Sequence, residues 1–258
     1  MRLATWNVNS LNVRLDHLLG WVKDAPVDLL ALQETKLTDD KFPSAALERA
    51  GFHCLFAGQK TYNGVALLSR SPMSDTETAL PGVEGEQKDQ KRLLAATIDG
   101  VRVVNVYVPN GQSVGSDKYH DKLRWLAALR DYLAAALKQY PRLVVLGDFN
   151  IAPEDRDVHD PMLWEGNVLV SPAERQAFRE LLALPLIDSL RQLDPAPGRF
   201  SWWDYRAGSF RRNLGVRIDH VLASPEQAAR LLCCSVDPAP RGWERPSDHA
   251  PVVAEFSE

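Results

Sequence analysis

Apolar residues come in short runs broken by polar ones, and the period of the breaks changes repeatedly along the chain. Residues 2–8 read as a strand. Leu15, Leu18, Leu19 and Val22 then recur at three- and four-residue steps, the spacing of one helix face, and predict a helix over 12–24. Val27 to Leu32 is almost continuously apolar, as a strand buried on both faces would be. Further strands are predicted at 52–57, 65–69, 92–98, 101–108, 143–146, 216–223 and 251–256. Asp99-Gly100 joins two of them and signals a two-residue hairpin turn with positive φ at both positions. Leu123, Leu126, Leu129, Leu133 and Leu137 carry the clearest helical period and predict a helix over 118–139. Ser171-Pro172-Ala173-Glu174 has the spacing of a capping box with proline at the first helical position, and Ser224-Pro225-Glu226-Gln227 repeats the device.

Hairpins mixed with helical crossovers do not suit a purely parallel doubly wound sheet. They suit mixed sheets covered by helices, so the expected α/β architecture is a two-sheet sandwich with helices outside. No composition shift marks a linker, and a single domain spanning 1–258 is expected. Hydrophobic residues at 45% and charged residues at 25% allow a sizeable core. No stretch approaches the ~20 apolar residues of a membrane span, and the first residues lack a leader pattern. A cytoplasmic monomer is therefore expected. Cys54, Cys233 and Cys234 show no metal-binding spacing and are expected to be small buried hydrophobes. A net charge of −4 argues weakly against a basic nucleic-acid coat protein and not against an enzyme with a local positive surface.

Polar residues recur where apolar strand runs end. Asn7, Glu34, Tyr107 with Asn110, Asp148 with Asn150, Asp219, and Asp248 with His249 all occupy such tips. Taken singly, each is most simply a turn or solvated residue. Taken together they are informative, because strand tips of a sandwich converge on one rim. Carboxylate and amide oxygens without cysteine favour a hard cation, Mg²⁺ or Mn²⁺, with Glu34 and Asp248 as carboxylate donors. Such a set serves phosphoester hydrolysis: one carboxylate takes a proton from water, a histidine held by a carboxylate donates to phosphate, and Asn and Tyr fix its geometry.

Residues 199–217 interleave aromatics with arginines, among them Trp202, Arg206, Arg211 and Arg212. That mixture fits a nucleic-acid surface and equally a core cluster with solvated arginines. Lys118 and Lys122 add positive charge after the Tyr107 loop, whereas Arg124 is expected on a solvated helix face.

Trp6-Asn7-Val8-Asn9, Leu32-Gln33-Glu34-Thr35, Tyr107-Val108-Pro109-Asn110-Gly111, Gly147-Asp148-Phe149-Asn150, Phe200-Ser201-Trp202-Trp203-Asp204-Tyr205-Arg206, Arg217-Ile218-Asp219 and Ser247-Asp248-His249 appear in that order. Together they resemble the exonuclease III family of apurinic/apyrimidinic endonucleases. The resemblance runs the length of the chain and implies a four-layer sandwich of two mixed β-sheets flanked by helices. It implies magnesium-dependent hydrolysis 5′ to abasic sites, 3′→5′ removal of nucleotides and cleaning of blocked 3′ ends of duplex DNA in base-excision repair. It implies Glu34 as principal metal ligand with Asp248 and Asn7 close by, Asp148 as activator of the attacking water, and Asn150 as its partner with a second-metal role. His249, oriented by Asp219, would stabilise the phosphorane, with Tyr107 and Asn110 as phosphate contacts. Trp202, Val216 and Ile218 would line a pocket for a baseless sugar. More distant nucleases of this fold suggest the alternative that His249 with Asp219 is the base; Asp148 is favoured. Asn9 stands where some members carry Asp. The 157–168 segment varies among relatives, with Trp164 and Asn167 as candidate DNA contacts. The competing readings are a phosphoesterase of the same fold acting on inositol phosphates or sphingomyelin, and a non-catalytic DNA-binding module.

Overall fold

The computed structural model describes residues 1–258. The elements in chain order are β1 (Arg2–Asn7), α1 (Leu11–Asp24), β2 (Leu29–Gln33), α2 (Ser44–Arg49), β3 (His53–Ala57), β4 (Val65–Ser69), β5 (Ser74–Glu77), β6 (Leu93–Ile98) and β7 (Val101–Tyr107). They continue with α3 (Asp117–Gln139), β8 (Leu143–Asp148), α4 (Pro161–Trp164), α5 (Pro172–Leu182), β9 (Ile187–Asp188) and α6 (Ser189–Leu193). The last are β10 (Asp219–Ala223), α7 (Pro225–Ala228), β11 (Leu231–Val236) and β12 (Val252–Phe256). They make two mixed six-stranded sheets, ordered β11-β12-β1-β2-β4-β3 and β5-β6-β7-β8-β10-β9.

Side-chain alternation explains the layering. Along β2, Leu29 and Ala31 face the other sheet while Leu30 and Leu32 face α1 and α2. Along β7, Val101 and Val103 face between the sheets while Val104 and Val106 face α3 and α5. These strands are therefore apolar on both faces, which accounts for their unbroken hydrophobic runs. The parallel pairs β1–β2 and β7–β8 are joined by α1 and α3, as parallel connection requires. The Asp99-Gly100 hairpin has φ of 49° and 75°, as its type demands.

A polar stitch sits between the sheets close to the rim. Gln33 Nε2 donates to Thr5 Oγ1 (2.9 Å) and across the interface to Asn105 Oδ1 (2.7 Å). Asn105 Nδ2 donates back to the carbonyls of Leu32 (3.0 Å) and Ala66 (2.9 Å). These bonds fix β2 against β7, the strands that precede Glu34 and carry Tyr107, although Gln33 Oε1 is buried without a partner.

Three local expectations need correction. Ser171 and Glu174 do form a reciprocal capping box, but Ser224 makes no cap on the one-turn α7. Its hydroxyl instead donates to the Pro141 carbonyl and accepts from Leu143 N–H, tying β10 to β8. The final strands start later than predicted, at Asp219 and Val252, because Val216 and Pro251 lie in connecting backbone. Of the cysteines only Cys234 is buried; Cys54 is half-buried and Cys233 exposed, since β11 is an edge strand.

Candidate active site

The strand register places the acidic residues side by side. Asp148 ends β8, with Tyr107 opposite it on β7 and Asp219 opposite it on β10. Asn7 ends β1, and Glu34 follows β2 in the first sheet. One ligand atom each from Glu34, Asp148 and His249 lies within 4.8 Å of the others. The cluster therefore straddles the tips of both sheets. Gly147, just before Asp148, has φ 145°, and a Cβ there would lie 1.9 Å from the Val106 carbonyl oxygen. Only glycine allows β8 that close to β7. Glu34 (φ 52°) and Asn150 (φ 50°) are non-glycine residues in left-handed backbone, a strain that persists only where surroundings impose it.

Asn7 Nδ2 donates to Glu34 Oε1 and to Asp148 Oδ2, both at 2.9 Å, bridging the two carboxylates. Lys36 Nζ lies 2.9 Å from the other Glu34 oxygen. Burial opposes ionisation of Glu34, but Lys36 and the Asn7 amide outweigh it and hold its pKa below the usual carboxylate range. Asp148 is fully enclosed; desolvation, with help from Asp219 and Glu34, pushes its pKa up against the pull of His249. Asn150 N–H donates to Asp148 Oδ1 (2.9 Å), and the Asn150 side chain is held by the Val108 carbonyl (2.9 Å) and by Asn110 (3.1 Å).

His249 Nδ1 sits 2.9 Å from Asp219 Oδ2, and its Nε2 faces Asp148 Oδ2 at 3.7 Å. Burial alone would lower its pKa; the two carboxylates, Asp219 foremost, raise it instead. Ser201 Oγ donates to Asp219 Oδ2 (2.6 Å) while accepting from the Ile218 and Asp219 amides. Ser247 Oγ donates to the Asn7 carbonyl (2.7 Å) and Trp6 Nε1 to the His249 carbonyl (3.1 Å), so the histidine loop is fastened to β1.

Asp248 is held by neighbouring side chains. Its oxygens accept from Trp202 Nε1 and Asn9 Nδ2, both at 2.9 Å. Burial works against its charge, but His249 and these donors keep its pKa low. Glu34 thus clusters with Asp148 and His249, and Asp248, next to His249 in the chain, is oriented by Trp202 and Asn9. The two carboxylates, without a thiolate, fit a hard divalent cation, while the imidazole between Asp219 and Asp148 supplies an N–H donor rather than a ligand. The Asn7 amide already bridges the two acids and the Lys36 ammonium offsets the charge of Glu34.

Trp202 pairs its backbone with Val216 and with His249, setting the indole beside the acidic cluster. Trp164 meets Trp202 edge-on at 6.4 Å. Val216 and Ile218 are buried beneath them with Val158 and Leu169, so they back the wall. Asn167 is exposed and donates to the Leu163 carbonyl within its own loop. Arg206, Arg211 and Arg212 are exposed, Arg206 paired with Asp204 at 2.6 Å. On the opposite side an open groove of about 590 Å³ is lined by Glu34, Tyr107, Asn110 and Lys118.

Lys122 corrects an expectation. It is fully buried and ion-paired with Glu174, so it offers no charge to a surface ligand. The i,i+4 spacing put it on the face of Lys118, but that face of α3 turns under the Asn110 loop one turn later. Arg92 and Ser201 were not predicted. The Arg92 guanidinium lies 4.6 Å from the Tyr107 ring centre and donates to the Tyr107 carbonyl. Its sequence position at the mouth of β6 carries no distinguishing signal; Ser201 lies within the Phe200–Arg206 motif.

The comparisons with known proteins agree with this geometry. The model of the Endonuclease/Exonuclease/phosphatase family matches residues 4–249. Exodeoxyribonuclease III of Haemophilus influenzae is 34% identical, covering 99% of this chain and all of that protein. The structure of the 3′ phosphatase NExo from Neisseria, bound to product DNA hairpin, is 50% identical with TM-score 0.97 over the whole of both chains. An AP endonuclease from Archaeoglobus fulgidus is 40% identical with TM-score 0.96, again over both whole chains. Two six-stranded sheets with helices outside and an acidic cluster across their tips thus meet matching sequence over 4–249, and the chain belongs to the endonuclease/exonuclease/phosphatase family.

Proposed function

We propose that this chain is a DNA repair nuclease that hydrolyses the phosphodiester 5′ to abasic sites and removes nucleotides or blocking groups from 3′ ends of duplex DNA. The convergence of Glu34, Asp148 and His249 within 4.8 Å, beside the Trp202 wall, carries this reading. The exodeoxyribonuclease III and AP endonuclease relatives and the 3′ phosphatase structure point to the same substrate class.

Glu34 and Asp148 would hold Mg²⁺, with Mn²⁺ as a substitute; that ion supplies neutralisation of phosphate charge. Asp148, fixed by Asn7 and Asn150, takes the proton of the attacking water. His249 is kept cationic by Asp219 and donates Nε2–H to a phosphate oxygen as negative charge builds there. Asn110 and Tyr107 orient the phosphate from the groove side. Trp202 and Trp164 wall a space suited to a sugar without its base, and flipping costs least where pairing is already lost. Lys118, Arg211 and Arg212 meet backbone phosphates.

The test is direct. An abasic-site duplex, a 3′-recessed duplex and a 3′-phosphate end are incubated with the protein, with Mg²⁺ and with excess chelator. Magnesium-dependent cleavage of at least one is expected. Release of phosphate from soluble or lipid phosphoesters with no action on DNA would overturn the reading.

A further inference from the structure

Lys122 is a charged side chain with no solvent and no substrate within reach. A buried ammonium costs several kcal/mol unless its partners are excellent, and a leucine would fill the same space without that cost. All three N–H bonds of Nζ are used. One goes to the Glu174 carboxylate, one to the Asn150 carbonyl (2.6 Å) and one to the Asn110 carbonyl (3.1 Å). Glu174 is itself held by the amides of Leu169 (3.0 Å) and Ser171 (3.1 Å) and by Ser171 Oγ (2.6 Å). The stem of Lys122 packs under Gly111, where a Cβ would lie 3.1 Å from its Cδ.

We infer that Lys122 is a positioning residue for hydrolysis: it ties the Asn110 and Asn150 loops to the start of α5 and so sets the carboxylate of Asp148. The inference rests on the placement of Asp148 and Asn150 in the active site. Asn150 sits in left-handed backbone and its own N–H holds Asp148 Oδ1, so a shift of its peptide is passed to that carboxylate. Asn110, one strand away, touches the Asn150 side chain, and both peptides hang from one ammonium. Displacement of a catalytic group by about 1 Å costs on the order of 100-fold in rate.

The experiment compares the full-length protein with Lys122→Met, Glu174→Gln and the double variant on an abasic-site duplex with Mg²⁺, measuring kcat, KM and Tm. Lys122→Met is expected to lower kcat about 10–100-fold with KM within twofold, and to lower Tm because Glu174 is left unpaired. The double variant removes that stranded charge and should recover most of the Tm while kcat stays low. Recovery of kcat in step with Tm would reduce Lys122 to a structural role and overturn the inference. A rise in KM at constant kcat would overturn it in favour of a DNA contact. If Lys122→Met does not fold, the double variant carries the test; if neither folds while Glu174→Gln does, the inference falls. Near-normal turnover by Asp148→Asn, in contrast, would sink the site assignment and leave the Lys122 geometry unexplained.

Discussion

The acidic floor and the aromatic wall of the site are built differently. Floor residues stand at the ends of strands or one residue beyond, and register sets their spacing: Tyr107, Asp148 and Asp219 are direct neighbours across three strands. The wall hangs from loops, joined by isolated bridges at Trp202 and Val216 and an edge-on contact between two indoles. Strand ends give the precision that proton transfer needs. Loops give a surface that can be reshaped without disturbing the chemistry.

If the floor is the rigid half, its changes should act on turnover and those of the wall on substrate choice. Asp148→Asn is expected to cut kcat roughly 10³–10⁴-fold with KM little changed, measured by initial rates on an abasic duplex. A loss under tenfold would shift the base role to His249.

The floor is also expected to weaken in acid. His220, packed between Phe149 and Phe178, is held neutral, its pKa lowered to about 4 by burial and by Arg217. Unfolded, it titrates near 6.5. The unfolded chain thus binds more protons between these values, and the stability contributed by the neutral ring is present above about 6.5 and lost as pH falls toward 4. The loss is about 3 kcal/mol. Denaturant melts across that window should show it, and His220→Gln should flatten the curve; an unchanged slope would remove His220 from the acid response.

Trp202→Ala is expected to lower kcat/KM for abasic duplex about 10–100-fold while changing hydrolysis of a 3′-phosphate end less. Equal losses on both substrates would erase the distinction between wall and floor. Smallest should be Arg211→Ala with Arg212→Ala, expected to weaken binding modestly and reduce the slope of log affinity against log salt by about 2. An unaltered slope would take those arginines off the DNA.

The layered fold was legible because its signals are local: period two or near-continuous apolarity for strands, 3.6 for α3, and Asp99-Gly100 for the hairpin. The short edge strands β5 and β9 carry too few apolar residues to announce themselves. In the site, polar tips of apolar runs identified Asn7, Glu34, Tyr107, Asp148 and Asp219 as convergent. Their spacing was not legible, because it depends on pairing between distant strands. Lys122 misled because helical spacing tells which residues share a face but not what lies over it.

The place of β12 has a consequence for synthesis. Val252–Phe256 is the last strand in chain order, yet it lies inside its sheet, with β11 on one side and β1 on the other. His249 and its loop arrive immediately before it. A ribosome that has made every residue up to Ser247 has produced Glu34 and Asp148 but neither the histidine nor the strand that closes the first sheet. A chain lacking Val252–Phe256 would therefore leave a gap between β11 and β1 and deprive the His249 loop of the strand that anchors it.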